Sequence, residues 1–409
     1  MVLFYNLSIW FYVATIKIVA LFNAKAKQWV AGRKNIFSQI EKALNGNEDI
    51  AWFHASSLGE FEQGRPVIES FREKHPNYKI FLTFFSPSGY EIRKNYEGAD
   101  YIFYLPKDSK LNAKRLINLV NPKIVFFVKY EYWYHYLKKL KKDKIPTYIF
   151  SAIFREKQLF FKWYGAWYRK MLSCFTKIYV QNETSKQLLK KINISNVEVG
   201  GDTRFDRVFA LTQSTKSFSL IKKFVKDSTV IVAGSTWEKD EEIIAEYAKS
   251  QNEKVKWIIA PHEVHNSHIE KIISLFKIPV LKFSEANNKN ISSYNILLID
   301  SIGILSSLYK YGNLAYIGGG FGVGIHNTLE AATFGLPVVF GPNYKRFQEA
   351  CDLIELSLGF SIKNFKEFES IFNKMLTDEN FRTECGKNAS KYINKMRGGT
   401  EKIISQLNL

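Results

Sequence analysis

The stretch "IAWFHASSLGEF" (50–61) decides how the first part of the chain folds. Its apolar start, Ile50 to Phe53, predicts a buried strand. Polar residues follow at once, and Gly59 is expected to allow the sharp turn that a strand-to-helix connection needs. Glu60 would then lie in the first turn of a helix, where the helix dipole favours the ionised carboxylate. The stretch therefore predicts a strand that leads directly into a helix with a charged group at its start.

Short apolar, β-branched and aromatic runs like this one recur along the chain. They alternate with polar and helix-forming stretches, which indicates parallel sheets covered by helices. The runs of the first half are 50–54, 79–85, 101–104, 124–128, 147–151 and 177–181. The pattern restarts with runs at 229–235, 255–260, 295–299, 314–318 and 337–340. The predicted fold class is α/β, with two doubly wound Rossmann-like domains.

The boundaries of these domains follow from a change in composition. The segment "LTQSTKSFS" (211–219) is polar and rich in Ser and Thr, which is typical of a linker. It separates a first domain at 25–210 from a second at 220–409. The last helix of the second domain is free to pack back on the first domain. Residues 1–24 form a separate N-terminal helix. Ligands of doubly wound sheets bind at the carboxyl ends of the strands, so we expect the site in a cleft between two facing sheets.

The overall composition excludes several classes of protein. With 46% hydrophobic and 15% aromatic residues among 409, the chain is not disordered and can build two cores. Its three cysteines, Cys174, Cys351 and Cys385, form no CxxC or Cys/His cluster, which indicates a reducing compartment and no structural metal. No Asp-x-Asp pair follows a strand, so we predict no metal in the site.

The formal charge of +19 predicts an anionic partner. No nucleic-acid module is visible, so we expect a membrane surface and no nucleic acid. Residues 2–22 carry one charge, Lys17, and as a helix would be about 30 Å long, enough to span a bilayer or lie deep in its interface. The cations after it, Lys25, Lys27, Arg33 and Lys34, would keep the rest of the chain in the cytoplasm. The alternative is an amphipathic helix packed on the protein's own surface.

Polar groups follow the predicted strands in both halves. In the first half these groups are 56–60, 86–89, 129–131 and 201–204. In the second half, Ser235 and Glu238 have the spacing of a capping box that opens a helix, and Pro261-His262 follows the next strand. A glycine-rich loop within "YIGGGFGVGIHNTLEAATFGLPVVFG" (316–341) leads to a helix that His326-Asn327 is expected to open. Glycines and a helix N-terminus suit a nucleotide phosphate, and Glu330 could accept hydrogen bonds from ligand hydroxyls or amines.

Taken together, these motifs resemble those of the 3-deoxy-D-manno-oct-2-ulosonic acid (Kdo) transferases. The motifs that carry the resemblance, from the N-terminal helix to about residue 350, are "HASSLGEF", "SPSGYE", "EYW", "QNE", "GDTRFD", "AGSTWEKDEE" and "GGGFGVGIHNTLEAATFGLPVVFGP". The resemblance implies the glycosyltransferase B (GT-B) architecture, attachment to the cytoplasmic face of the inner membrane, and a role in lipopolysaccharide synthesis. It implies inverting transfer of Kdo from CMP-Kdo to the lipid A precursor, lipid IV-A, without a cofactor or a metal.

The resemblance also assigns roles to residues. It implies that Glu60 is the general base and that Glu131 and Arg204 stabilise the transition state. The expected substrate-binding residues are Ser56, Ser57, Gly59, Ser88, Gly89, Ser235, Thr236, Pro261, His262, Ile302, Gly303, Ile304, Gly319, Gly320, His326, Asn327, Thr328, Leu329 and Glu330.

Two other functions are compatible with the same residues. One is a GT-B glycosyltransferase that uses a UDP-sugar on another membrane acceptor, since the loop around His326 would serve either nucleotide. The other is a catalytically inactive scaffold that keeps the fold and the basic face.

Overall fold

The apolar runs of the first half form a parallel sheet. The computed structural model describes residues 1–213, 215–249 and 255–407. Within these residues the sheet has seven strands in the order β3-β2-β1-β4-β5-β6-β7. The strands are β1 (Ile50–Ala55), β2 (Lys79–Phe84), β3 (Tyr101–Tyr104), β4 (Ile124–Val128), β5 (Thr147–Ala152), β6 (Lys177–Val180) and β7 (Val197–Val199). The first strand, β1, therefore lies inside the sheet, and later strands are added on both sides of it.

The second half also forms a seven-stranded parallel sheet, with a different strand order. Its described residues form seven parallel strands in the order β10-β11-β9-β8-β12-β13-β14. The strands are β8 (Thr229–Thr236), β9 (Val255–Pro261), β10 (Val280–Lys282), β11 (Ile296–Leu298), β12 (Leu314–Ile317), β13 (Val338–Phe340) and β14 (Gly359–Ser361). The predicted fold class, two doubly wound parallel sheets, is confirmed. The two edge strands β10 and β14 were not predicted.

Helices connect the strands because parallel neighbours need crossover connections. Those of the first half are α1 (Val2–Val19), α2 (Ala24–Ala31), α3 (Ile36–Ala43), α4 (Leu58–Lys74), α5 (Pro87–Arg93), α6 (Lys110–Val120), α7 (Tyr134–Lys142), α8 (Ala166–Leu172), α9 (Glu183–Lys191) and α10 (Arg204–Gln213). Those of the second half are α11 (Ser219–Phe224), α12 (Glu238–Ala248), α13 (Asn266–Leu275), α14 (Leu305–Leu308), α15 (Leu329–Thr333), α16 (Gln348–Glu355), α17 (Phe365–Thr377), α18 (Glu379–Lys395) and α19 (Gly399–Ser405).

The chain divides into two units, each with its own sheet. Unit 1 comprises residues 1–207 and 396–409, and unit 2 comprises 208–395. The proposed linker at 211–219 starts within α10, and its residue 214 lies outside the described residues. The helix α19 returns to unit 1, where Ile403 and Ile404 are buried in the same cluster as Phe53.

The core of unit 1 shows why its strands are almost wholly apolar. Both faces of the sheet are covered by helices, so each residue of β1 is buried. Phe53 stacks on Phe126 of the neighbouring strand, with ring centroids 4.5 Å apart. Burying one such side chain contributes roughly 2–3 kcal/mol. A separate cluster that includes Trp257 and Phe372 forms the core of unit 2.

Helix α1 differs from the other helices because it has no buried residue. Its 18 residues have a mean hydropathy of 1.6, so by length and composition it could cross a membrane. Large apolar side chains point to solvent: Leu3 is 67% exposed, Phe4 70% and Trp10 60%. Tyr5 connects the helix to the rest of unit 1, because its hydroxyl donates to Asp108 Oδ2 at 2.5 Å.

Candidate active site

The strand order places a topological switch point in unit 1 between β1 and β4. Connections leave these two neighbours in opposite directions, and ligands of such sheets bind beyond the carboxyl ends at this point. Ser56 and Ser57 follow β1, and Lys129 follows β4 with a φ of 69°. A left-handed conformation is uncommon for lysine, and strained residues of this kind cluster at functional sites.

Glu60 lies in the first turn of α4, at this end of the sheet. The Ser57 hydroxyl donates a hydrogen bond to Glu60 Oε2, and the Glu60 side chain is half-buried. The role predicted for Gly59 as the residue of a sharp turn is wrong, because Gly59 is helical and does not have a positive φ. Chain direction changes instead at Ser57, whose extended backbone precedes the helix.

Gly89 brings the connection after β2 against this turn. A Cβ on Gly89 would meet the Phe84 ring at 2.4 Å and the Ser57 carbonyl carbon at 3.1 Å, so no larger residue fits without movement. Ser86 caps α5 and its N–H donates to Ser56 O at 2.7 Å. Ser88 is exposed beside it. The predicted residues Ser56, Ser57, Ser88 and Gly89 are therefore brought together with Glu60.

Glu131 is in a different, buried network. Its side chain is 4% exposed and its Oε2 lies 3.1 Å from His54 Nε2 and accepts from Trp133 Nε1 at 2.5 Å. His54 Nδ1 contacts Thr83 Oγ1 at 2.9 Å. Hydrogen bonds to both sides fix the imidazole between two strands. Glu131 thus combines with His54 into a buried acid–imidazole pair beneath the edge of the sheet.

Arg204 begins α10, and Asp202 holds its guanidinium. Arg204 Nε and Nη2 donate to Asp202 Oδ2 at 2.9 and 2.7 Å. Gln63, one turn after Glu60, donates to Asp202 Oδ1 at 2.9 Å. Burial opposes ionisation of Asp202, but the charge and hydrogen bonds of Arg204 lower its pKa below the ordinary value. A buried carboxylate therefore orients Arg204 and links it to the helix that carries Glu60.

Unit 2 has its own switch point, between β8 and β12. Here the backbones approach very closely: a Cβ on Gly318 would lie 2.3 Å from Ser235 O and 2.8 Å from Asp240 Oδ2. Asp240 accepts from the Trp237 and Gly319 N–H groups at 3.0 and 2.8 Å. The glycine-rich loop is thus bound to the end of β8.

The capping box predicted for Ser235 and Glu238 is wrong. Ser235 is still part of β8, with a φ of 54°, and α12 begins at Glu238. The hydrogen bond from Trp237 N–H to Asp240 closes this helix start instead. Asp240 was not among the predicted site residues.

Three rings form a stack at this edge of unit 2. His262 lies with its centroid 4.4 Å from that of His326 and 4.7 Å from that of Trp237. Trp237 Nε1 donates to His326 Nε2 at 3.0 Å, so this nitrogen of His326 carries no proton. Burial, and then the nearby His262, lower the pKa of His326 to about 4. His326 therefore carries no positive charge near pH 7.

The helix predicted to open at His326-Asn327 begins later. Helix α15 starts at Leu329 and has five residues. Asn327 Oδ1 accepts from Leu329 N–H at 3.1 Å, and Asn327 Nδ2 donates to Glu330 Oε1 at 3.0 Å. Asn327 thus already occupies one of the first N–H groups of this helix, and the nucleotide-phosphate site expected there stays a prediction. Thr328 is buried and its hydroxyl has no hydrogen-bond partner in the described residues.

The remaining predicted residues lie near this edge. Thr236 is buried, its carbonyl accepts from His262 N–H at 3.0 Å, and Pro261 ends β9. Gly319 has a φ of 87°, and Gly320 packs so tightly against Gly341 that a Cβ would fall 2.6 Å from its backbone. Ile302, Gly303 and Ile304 form the exposed loop before α14, where Ile302 is 85% exposed.

One group of side chains has the chemistry of metal ligands, although the sequence predicted none. Glu263, His265 and His268 place ligand atoms within 4.8 Å of one another. Both nitrogens of His268 are already used, Nε2 with Glu241 Oε2 at 2.9 Å and Nδ1 with Glu263 O at 2.9 Å. The group therefore fixes the loop after β9 through hydrogen bonds.

The structure adds partners that sequence reasoning missed: His54, Gln63, Asp202, Trp237 and Asp240. Four of them stand within quoted motifs, so the signal was present. The sequence did not show which partners these side chains reach, because each of them bonds to a residue from a different strand–helix connection.

Two parallel doubly wound sheets with polar carboxyl edges define the GT-B class of proteins. The crystal structure of MurG from Acinetobacter baumannii has this fold and is similar to the chain with a TM-score of 0.55 and 12% identity, over 88% of this chain and 98% of that one.

The sequence comparisons are more specific. The family described as 3-Deoxy-D-manno-octulosonic-acid transferase (kdotransferase) matches residues 31–207. The 3-deoxy-D-manno-octulosonic acid transferase of Aquifex aeolicus is 27% identical over 345 residues, which are 82% of this chain and 89% of that one. That of Chlamydia trachomatis serovar A is 27% identical over 368 residues, 86% of this chain and 82% of that one. The chain is a relative of the Kdo transferases, the predicted resemblance is confirmed, and the comparisons support transferase activity and Kdo transfer.

Proposed function

We propose that this protein is an inverting glycosyltransferase that moves Kdo from CMP-Kdo to the lipid A precursor, lipid IV-A, with Glu60 as the general base. The observation that carries the proposal is the position of Glu60. Its half-buried carboxylate lies beyond β1 at the switch point of unit 1, in the first turn of α4, with one oxygen held by Ser57. The free lone pairs of a carboxylate in this setting can accept a proton from an acceptor hydroxyl.

The proposed step is a single displacement. The acceptor oxygen attacks the anomeric carbon of Kdo, the bond from that carbon to the CMP phosphate oxygen breaks, and Glu60 takes the hydroxyl proton. The Ser57 hydroxyl orients the Glu60 carboxylate in the first turn of α4. No metal is needed in this scheme, since protein groups supply both charges.

Arg204 and Glu131 are proposed to stabilise the charges that develop. An oxocarbenium-like centre is positive while the departing CMP is negative, so preorganised groups of both signs are needed. Asp202 fixes the Arg204 guanidinium at the start of α10, and its positive charge is suited to stabilise an anionic group. Glu131 is 4% exposed and paired with His54, so we assign it an electrostatic role through that pair.

The donor nucleotide is proposed to bind unit 2. The ring stack of Trp237, His262 and His326 offers a flat aromatic surface beside the tightly packed glycines of the loop after β12.

The protein is proposed to act at the cytoplasmic face of the inner membrane. The exposed apolar helix α1 supplies the attachment and the net charge of +19 favours an anionic surface. A lipid acceptor requires the enzyme to work at that surface.

The decisive experiment compares Glu60→Gln with Glu73→Gln, an exposed acid on the same helix. Transfer of Kdo to lipid IV-A from CMP-Kdo is followed by mass spectrometry, and CMP binding by calorimetry. We expect Glu60→Gln to lower the rate by about 10²–10⁴-fold with CMP binding retained, because only the proton acceptor is lost. Glu73→Gln should keep the normal rate. A fully active Glu60→Gln enzyme would exclude Glu60 as the base.

The choice of nucleotide has a separate test. CMP should raise the melting temperature of the protein and UDP should not. The opposite result would replace CMP-Kdo by a UDP-sugar as the donor, and an effect of neither would favour the inactive scaffold.

A further inference from the structure

Helix α1 lies over a row of cavities. Its inward stripe is formed by Tyr5, Ile9 and Val13, which are partly buried and lie four residues apart, on one face of a helix. Tyr5 lines a cavity of 580 Å³, Ile9 and Val13 line one of 280 Å³, and Val13 with Lys17 lines one of 590 Å³. These cavities open to solvent at the surface of unit 1, and their volumes are about those of small-ligand sites.

The middle cavity is apolar. Its walls are mainly Ile9, Tyr12, Trp29, Phe85 and Trp133. We call it the apolar cavity. A hydrocarbon chain is the ligand that such walls accept without leaving a polar group unpaired.

The cavity next to it, at the carboxyl end of α1, is basic. Its cationic lining residues are Lys17, Arg33, Lys34, Lys107 and Arg115, and no acid is among the residues that line it. We call it the basic cavity. In the described part of the chain, none of these five cations is paired with a carboxylate.

Arg33 has a structural role within this group. Its guanidinium donates to Phe85 O at 2.7 Å and to Leu105 O at 2.9 Å, and it lies 3.9 Å from the centre of the Trp29 ring. Arg33 is therefore held in the wall, while Lys17, Lys34, Lys107 and Arg115 remain available to a ligand.

The two cavities are adjacent, because Val13, Trp29 and Lys107 line both of them. We propose that they bind one anionic phospholipid of the bilayer, with an acyl chain in the apolar cavity and its phosphate on the side chains of Lys17, Lys34, Lys107 and Arg115. Charge complementarity selects the phosphate, and the apolar outer face of α1 places the same residues at the depth of the lipid head groups.

This inference goes beyond Kdo transfer, and it does not depend on Glu60. The bound lipid lies between α1 and the rest of unit 1, so a molecule of the membrane adds to the Tyr5–Asp108 hydrogen bond that holds the anchor helix. The acceptor substrate is a different lipid that reaches Glu60, beyond β1.

The test uses the full chain, purified in detergent and analysed by native mass spectrometry. Phosphatidylglycerol is the probe, with phosphatidylcholine as the zwitterionic comparison. The double variant Lys107→Gln/Arg115→Gln removes two cations from the basic cavity. The control Lys366→Gln/Lys387→Gln removes two exposed cations of unit 2. We expect one phosphatidylglycerol per chain, retained at least tenfold less by the double variant and unchanged in the control.

A second variant, Val13→Trp, fills the apolar cavity while leaving every cation in place. It should lose the lipid and keep its helix content by circular dichroism, since Val13 is not buried in the core. Equal retention of the two lipids, or full retention by Lys107→Gln/Arg115→Gln, would overturn the proposal. So would displacement of the lipid by millimolar inorganic phosphate, which would show a site for free phosphate, or by one equivalent of lipid IV-A, which would show the acceptor site.

Discussion

The two sheets each have seven parallel strands but differ in strand order and in the residues at their carboxyl edges. Around the switch point of unit 1 the side chains are ionisable, with Glu60 and the pairs His54–Glu131 and Asp202–Arg204. Around that of unit 2 the backbone dominates, with tightly packed glycines and a stack of three rings. The same class of fold thus presents two kinds of edge, one of ionisable side chains and one of backbone and aromatic rings.

The largest stability effect should come from breaking a buried charge pair of unit 1. Asp202→Asn removes the buried carboxylate that accepts hydrogen bonds from Arg204 and Gln63, and we expect a loss on the order of 3 kcal/mol in the free energy of unfolding. Chemical denaturation measures it. The control is Glu69→Gln, which breaks the exposed pair with Arg65 and should cost less than about 1 kcal/mol. Equal losses would show that burial is not what distinguishes these pairs.

A smaller but sharper effect is expected at the glycines of unit 2. A Cβ on Gly318 would meet the Ser235 carbonyl oxygen at 2.3 Å, whereas one on Gly322 would meet nothing closer than 3.6 Å. Gly318→Ala should therefore cost about 2 kcal/mol of stability and weaken CMP binding more than tenfold, with Gly322→Ala near normal. Calorimetry with CMP checks this. If both variants bind CMP normally, the close backbone approach is not part of the nucleotide site.

His326, in the ring stack with Trp237 and His262, predicts that the free energy of unfolding depends on pH. Burial and His262 lower the pKa of His326 to about 4 from 6.5, so the unfolded chain takes up this proton at a higher pH than the folded chain. The contribution is complete above pH 6.5 and is lost as the pH falls towards 4. For a half-exposed ring we expect a change on the order of 1 kcal/mol. Unfolding of the wild type between pH 4 and 7 should show it, and His326→Asn should flatten the profile. An unchanged profile in that variant would assign the dependence to other groups.

The smallest effect concerns backbone strain at Ser235. Its φ of 54° is unfavourable for a residue with a Cβ by roughly 1–2 kcal/mol, and glycine removes that strain at an entropic cost of about 0.5–1 kcal/mol. Ser235→Gly should thus be neutral or stabilising by up to about 1 kcal/mol, while Ser235→Ala keeps the strain and gains nothing. Thermal unfolding of the two variants distinguishes them. A stabilising Ser235→Ala would show that the hydroxyl, not the backbone, is strained.

Most of the fold could be predicted from the apolar runs. Strands β1 and β4 are buried on both faces, so their composition alone identifies them. The edge strands β10 and β14 are only partly buried, so they have no continuous apolar run that would identify them. Their existence depends on neighbouring strands rather than on their own residues.

The site could be predicted only in part. Polar residues after strands indicated where it lies, and residue type suggested which groups carry charge. The partners could not be found, because Glu131 reaches His54 and Asp202 reaches Gln63 across 77 and 139 residues of sequence. Local rules also failed where a tertiary contact replaced them, as at Ser235, where a bond from Trp237 to Asp240 starts the helix.

The return of α19 to unit 1 has a consequence for biosynthesis. Asp206 accepts hydrogen bonds from the Gly398 and Thr400 N–H groups at 2.7 and 2.8 Å, and Ile403 is fully buried. The ribosome must therefore translate all of 208–395 before the nascent N-terminal half acquires its last helix. At 5–20 residues per second this delay is on the order of 10–40 s. During that time the apolar surface that Ile403 and Ile404 later cover stays exposed.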